Sequence, residues 1–321
     1  MTDYSVKRAY RGQVLVAAPG APPMTGEWLT SKDKKRYFKP DPGQDVEPYG
    51  RSSSAGANLK GGGDGLATWK AAMAAIGVVM SSSARSDIAS LINAYDGDPY
   101  YKGDDGGSES GKSRLMKAVE KACETAGASS ASSLGSEFHH LAELSNKGVT
   151  PRIVQEHLRE PLKHYVERVA PIEFLHQEIL IINDEIKRAG SVDYLFRLPA
   201  GLRTPDGILH DEPIVCVGDL KTGKWDAAYP AGVTAQLAAY GLGFKYDQEN
   251  NVREPLHEDA SSEWGVLVHY PLTSKEPRVN FYWVDLSVGL RAAKLNNSLD
   301  AMIAFFKSSF GKPVQFELES S

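Results

Sequence analysis

The stretch "PIVCVGDLKTGK", residues 213–224, decides how the rest of the chain is read. It begins as a β-branched, apolar run and ends by placing an acid, Asp219, and a lysine, Lys221, two positions apart. Successive side chains of a strand point to opposite faces, so these two charges share a face at the strand's end. A sheet core has no need of a charge pair there. Thr222 and Gly223 follow as a turn that lets backbone come close to whatever the charges hold.

Composition bounds what that could be. With 321 residues, 41% of them hydrophobic, the chain can bury a sizeable core as one large domain or a domain with an appendage. No run of about 18 apolar residues is present and the opening "MTDYSVKRAY" lacks an apolar stretch, so neither a membrane span nor secretion is expected, and the cytoplasm is the default location. The two cysteines, Cys123 in a helical pattern and Cys216 in the apolar strand, read as buried thiols and are too few for a four-cysteine iron–sulfur cluster. A net charge of −5 gives no global electrostatic case for nucleic acid, although a local patch could supply one. The stretch "SKDKKRYFKP", 31–40, mixes five basic residues with Tyr37 and Phe38, as a strand-binding patch or as a solvated charge run.

The chain changes character near residue 130. Residues 1–130 read as a helical, loop-rich region: "YGRSSSAGANLKGGGDG" and "YDGDPYYKGDDGGSESG" separate helical patterns at about 64–79, 83–95 and 111–126. Residues 131–321 read as a core with a C-terminal helix. Helices are expected at about 131–147 and 151–169, then strands at about 172–182, 188–197 and 213–221. A helix at about 232–244, strands at about 264–270 and 278–285, and an amphipathic helix at about 287–308 complete it. The order predicts an α/β fold, a central mixed sheet flanked by helices.

Within the first region "GGSESGKS", 106–113, spells the phosphate-loop pattern literally. A working phosphate loop needs a buried strand feeding its glycines, and the preceding residues are polar and turn-forming. The stretch therefore reads as a linker and helix start.

The charge pair has partners elsewhere. "GSVDYLF", 190–196, places Asp193 in another strand, 26 positions before Asp219, so two carboxylates could converge. "GSEFHHLAE", 135–143, sets Gly135, His139 and Glu143 one turn apart on one helical face, the glycine permitting close approach to the sheet. His140, about 100° away around the helix, would then face elsewhere. "QLAAY", 236–240, puts Gln236 and Tyr240 one turn apart on the helix after the Asp219 strand.

These residues resemble the RecB-type branch of the PD-(D/E)XK nucleases, whose pattern runs GxxxHxxxE, GxxD, (D/E)xKTG, QxxxY in that order over residues 135–240. The leader "YGRSSSAGANLKGGGDGLATWKAAMAAIG", 49–77, is more loosely similar to that of phage-encoded RecB-like exonucleases without an iron–sulfur cluster. The resemblance implies a restriction-endonuclease-like core and a metal-dependent DNA exonuclease of phage recombination or processing, in the host cytoplasm, with a single-strand annealing protein as a possible partner. It implies that His139, Asp193, Asp219 and the carbonyl of Leu220 hold Mg²⁺ or Mn²⁺, a set of hard oxygens plus one nitrogen that suits either ion. Lys221 would orient or help deprotonate the attacking water, Glu143 would orient a ligand or the helix, and Gln236 and Tyr240 would hold a DNA phosphate. The same residues also fit a structure-specific or flap endonuclease, or a non-catalytic DNA-binding recombination subunit.

Overall fold

The computed structural model describes residues 13–30, 36–59, 64–223, 230–274, 278–309 and 311. Its elements run β1 (Val14–Ala17), β2 (Gly26–Thr30), β3 (Arg36–Pro40), β4 (Val46–Arg51), two 3₁₀ turns at Ser52–Ser54 and Ala57–Leu59, then α1 (Asp64–Met80), α2 (Ser82–Ala94), α3 (Gly111–Thr125), α4 (Ala128–Asn146) and α5 (Glu156–Val169). There follow β5 (Glu173–Asn183), β6 (Arg188–Leu198), β7 (Leu202–Arg203), β8 (Leu209–His210), β9 (Ile214–Lys221), α6 (Pro230–Gly241), β10 (Phe244–Asp247), β11 (Val252–Glu254), β12 (Trp264–His269), β13 (Asn280–Asp285) and α7 (Leu286–Ser309).

The central sheet has nine strands in the order β11-β10-β5-β6-β9-β12-β13, with β4 joined to β6 and β1 joined to β4. It is mixed: β9 and β12 are parallel, as are β4 and β6, and the other pairings are antiparallel. A parallel neighbour needs a crossover, and α6 lies on the connection between β9 and β12.

The apolar run of β9 buries both its faces. Cys216 and Leu220 pack with Tyr194, Phe196, Val266 and Val268 against Phe138 of α4 and Leu162 and Tyr165 of α5. Val215 and Val217 pack with Val192, Leu267 and Val284 against Leu237 and Tyr240 of α6 and Leu286 of α7. Helices therefore cover the sheet on two sides, and each fully buried Val, Leu or Phe contributes roughly 1.5–3 kcal/mol. Asp219 continues the Val215, Val217 parity, so it points toward α6.

The N-terminal region holds the three expected helices but also four strands that were read as loop. "VLVA" and the proline-containing "VEPYGR" are too short for alternation to show, and pairing fixes them: Gly50 and Arg51 of β4 sit opposite Arg188 and Ala189 of β6. Residues after β4 are tied down as well. Arg188 donates to Ser54 Oγ (3.3 Å) and to Asn297, and Asn58 donates from its backbone to Asn296 Oδ1 (2.8 Å) and from its side chain to Asp300 Oδ1 (2.8 Å) on α7. The expected boundary near residue 130 thus does not divide the central sheet from what precedes it. Of the cysteines, Cys216 is buried and Cys123 only half-buried. Among the described residues no helix is long and apolar enough to cross a membrane.

Candidate active site

Strand β6 is long, and three neighbours use its edges. Strand β5 pairs along most of one edge; on the other, β9 pairs from Leu198↔Ile214 to Tyr194↔Gly218, and β4 pairs only at Arg188 and Ala189. The gap between them is residues 190–193, where β6 and β9 part. On its opposite edge β9 pairs with β12 from Gly218↔Val266 to Lys221↔His269, so the edge facing β6 is open past Gly218. The N–H of Leu220 is left without a β6 carbonyl, and the Asp193 carboxylate takes its place: Leu220 N donates to Asp193 Oδ2 at 2.8 Å. An unmade backbone bond in a buried place costs about 1–3 kcal/mol, so this substitution fixes Asp193 at the parting of the strands.

Asp219 is 2% exposed. Its Oδ1 accepts from Gln236 Nε2 at 2.9 Å, and Gln236 Nε2 lies 3.5 Å from Tyr240 OH. Its buried Oδ2 meets the Lys221 ammonium as an ion pair and takes no other hydrogen bond among the described residues. Burial works to lower the Lys221 pKa, but the charge of Asp219, its hydrogen bond and the charge of Asp193 outweigh that and hold it above its ordinary value. Burial raises the Asp193 carboxyl to about 8, helped by the Asp219 charge and opposed by Lys221 and the Leu220 N–H; Glu178 raises it further. Glu178 is exposed, on β5, in the left-handed region with φ of +54°.

Helix α4 brings the imidazole. His139 Nδ1 lies 3.7 Å from Asp193 Oδ2, and burial lowers its pKa, with Asp219 raising and Lys221 lowering it in turn. The ring is therefore neutral near pH 7, the state in which a nitrogen can accept a metal. His140 is on the outer side, its side chain 67% exposed against 31% for His139. Gly135 sits where expected: a Cβ there would stand 2.9 Å from Thr222 Oγ1, so helix and β9 turn touch only because it has none. Gly190 is explained similarly, since its Cβ would meet Tyr240 OH at 3.1 Å.

Two expectations change. Glu143 pairs with Lys147, with Oε2 4.0 Å from His140 Nδ1, because the i,i+4 lysine is the nearer cation; among the described contacts it does not orient His139. Gln236 and Tyr240 are buried behind Asp219 rather than presented to a phosphate, burial raising the Tyr240 pKa so that its hydroxyl stays protonated. They position the carboxylate.

The donor types fit a hard divalent cation: two carboxylates, one neutral imidazole and the Leu220 peptide in reach of Asp193. The buried Asp219 Oδ2 calls for positive charge, and here the Lys221 ammonium supplies it. Among the described residues no three His, Cys, Asp or Glu side chains stand as a ready cage. A cation held at Asp219 Oδ2 would have to take the place of the Lys221 ammonium, whose side chain is 36% exposed.

His269 is the residue sequence reading missed. Buried on β12, it donates from Nε2 to Gly223 O at 3.0 Å, while Tyr270 N donates to Lys221 O (2.8 Å) and Leu272 N to Thr222 O (3.1 Å), so β12 and its extension hold the turn after Lys221. Its only signal was one polar residue in the apolar run "VLVHY". The phosphate-loop lookalike is bound up in itself: turns precede α3, Ser110 caps it by accepting from Ser113 N (3.1 Å), and Lys112 pairs with Asp104 (2.7 Å) over the Tyr100 ring (4.6 Å). Of the basic stretch, residues 31–35 lie outside the described residues; Lys39 is within 3.4 Å of Glu27. No protein-family model matches this chain, and no curated protein matches it significantly.

Proposed function

We propose that this protein is a metal-dependent deoxyribonuclease of the RecB-type PD-(D/E)XK kind, on a restriction-endonuclease-like core, acting as an exonuclease. One observation carries the reading: Asp193 and Asp219 converge where β6 and β9 part, with the Lys221 ammonium paired to the buried Oδ2 of Asp219. Asp193, Asp219, His139 and the Leu220 carbonyl would hold Mg²⁺ or Mn²⁺. Such an ion, when bound, neutralises charge on a scissile phosphate and lowers the pKa of a water.

The chain's own groups do the rest. Gln236 holds Oδ1 of Asp219, which leaves Oδ2 as the oxygen that would serve a cation. His139 stands beside Asp193 with its ring neutral, so that one of its nitrogens is free of a proton. Lys221, held protonated by its carboxylate neighbours, serves as a positive charge that orients water and offsets charge developing on the phosphate, rather than as a base. The role in phage recombination, beside an annealing protein, follows from the resemblance alone.

The test is an end-labelled linear duplex against a covalently closed circle, each with Mg²⁺ or Mn²⁺. Release of label with the circle intact supports the exonuclease. Cutting of the circle means an endonuclease on the same residues. No cleavage with either ion overturns the nuclease and leaves a DNA-binding subunit, read by gel shift.

A further inference from the structure

A buried polar knot lies on the α4 and α5 side of the sheet, and nothing in the proposed chemistry uses it. Tyr165 OH and Tyr194 OH share a hydrogen bond at 3.0 Å. Asn146 Nδ2 donates to Tyr165 OH at 3.1 Å and to Gln177 Oε1 at 3.4 Å. Both tyrosines are buried, and burial raises both hydroxyls, so they stay protonated. The four residues come from α4, α5, β5 and β6.

Their positions along the chain matter. Asn146 lies seven residues after His139, two turns on along the same face of α4. Tyr194 is the residue after Asp193 on β6. Tyr165 also grips α4 near its middle: its ring packs edge-on against Phe138, neighbour of His139, with centroids 5.6 Å apart and planes at 83°. One side chain therefore holds α4 on both sides of His139 and holds, through Tyr194, the strand that carries Asp193. The 3.7 Å between His139 Nδ1 and Asp193 Oδ2 is set by elements that meet at this tyrosine.

We propose that Tyr165, through Asn146 and Tyr194, is the positioning residue that keeps the His139 helix in register with the Asp193 strand. This rests on the metal-centre reading, and it makes the affinity for the ion depend on a hydroxyl that touches no ligand. Removing outer support of metal ligands commonly weakens binding about 10–100-fold; at one further remove, about 3–10-fold is expected.

The experiment compares Tyr165→Phe with Tyr270→Phe in the full chain. Tyr270 is an equally buried tyrosine of the same core whose hydroxyl meets His164 Nδ1 at 3.2 Å, so its loss removes a similar bond without touching Asn146 or Tyr194. Mn²⁺ affinity by calorimetry should fall about 3–10-fold in Tyr165→Phe and stay at the wild-type value in Tyr270→Phe. Unchanged affinity in Tyr165→Phe, or equal weakening in both, overturns the proposal. If wild type binds no Mn²⁺, the metal reading fails, and hydrogen exchange over residues 138–146 decides the positioning role by itself: faster exchange in Tyr165→Phe than in Tyr270→Phe upholds it, equal exchange ends it.

Discussion

The metal-free protein should lose stability as pH rises from 6 to 8, and Asp193 should be the reason. Its carboxyl is raised to about 8 in the folded chain, by burial first and by Asp219 second, against about 4 when unfolded. The folded state then holds a proton that the unfolded state has released, so the contribution is fully present below pH 4 and lost as pH climbs through 8. Linkage puts the contribution at almost 3 kcal/mol at pH 6 and under about 0.5 kcal/mol at pH 8, a fall of about 2 kcal/mol. His139 works the other way. Its pKa is lowered, so its contribution is present above the ordinary histidine value and shrinks as pH falls, which offsets the Asp193 effect by under about 1 kcal/mol over the same range. Urea unfolding in EDTA at pH 6, 7 and 8 measures the sum, and Asp193→Asn isolates the larger part. Wild type should weaken toward pH 8 while Asp193→Asn, whose amide can still accept from Leu220 N, should not. A flat wild-type profile, or the same fall in Asp193→Asn, refutes the reasoning. Since the ion must displace that proton, log affinity for Mn²⁺ should rise about one unit per pH unit below 8.

Asp219→Ala and Lys221→Ala should each abolish cleavage of linear duplex, several kcal/mol of barrier, with far-UV circular dichroism unchanged; full activity in either variant, insensitive to EDTA, removes the assignment. Lys221→Ala should also lower the Tm in EDTA, and excess Mn²⁺ should recover most of the loss, because the ion replaces the missing cation beside Asp219. Mn²⁺ affinity should drop about 10-fold or more in His139→Ala and little in His140→Ala, and the reverse order would mean that α4 is wrongly phased. Lys112→Ala should leave nuclease rate unchanged with or without ATP, whereas ATP binding lost on that substitution would revive the phosphate loop.

The core was legible because its elements are long and regular. The buried run of β9 and the amphipathic α5 announce themselves by period, whereas α7, expected as amphipathic, exposes Leu295, Met302 and Phe305 among its apolar residues; ordered motifs placed Asp193, Asp219 and His139 on β6, β9 and α4. What sequence left out depends on pairing between distant residues. Strands β1 and β4 have four and six residues and exist because β4 finds the free end of β6. Gln236 looked like a phosphate ligand because its spacing to Tyr240 is visible and its burial against Asp219 is not. Glu143 looked like support for His139 because helical spacing shows which residues share a stripe, not that Lys147 takes the carboxylate first.

The site breaks the rules that the rest of the fold obeys, and the manner of the breach bears on function. A buried carboxylate is costly unless fully paired, and Asp219 keeps one oxygen on the Lys221 ammonium alone while a second carboxyl is held so near that it tends to retain its proton. A chain selected only to fold would place an apolar pair there, which is often as stable or more so. Instead, two helices and three strands converge on the arrangement: Gln236 spends its amide on Asp219, Gly135 and Gly190 give up side chains to admit Thr222 and Tyr240, and β12 clamps the turn after Lys221. In the metal-free site below pH 8 Asp193 keeps its proton, Lys221 is protonated and His139 is neutral, so the site sums to zero through the Asp219 and Lys221 pair. A divalent cation that displaced the Asp193 proton would bring the sum to one positive charge, which a phosphodiester would cancel. On the proposed function the same four side chains would therefore balance in two states, with the proton alone or with ion and phosphate together, so that proton and ion compete for Asp193.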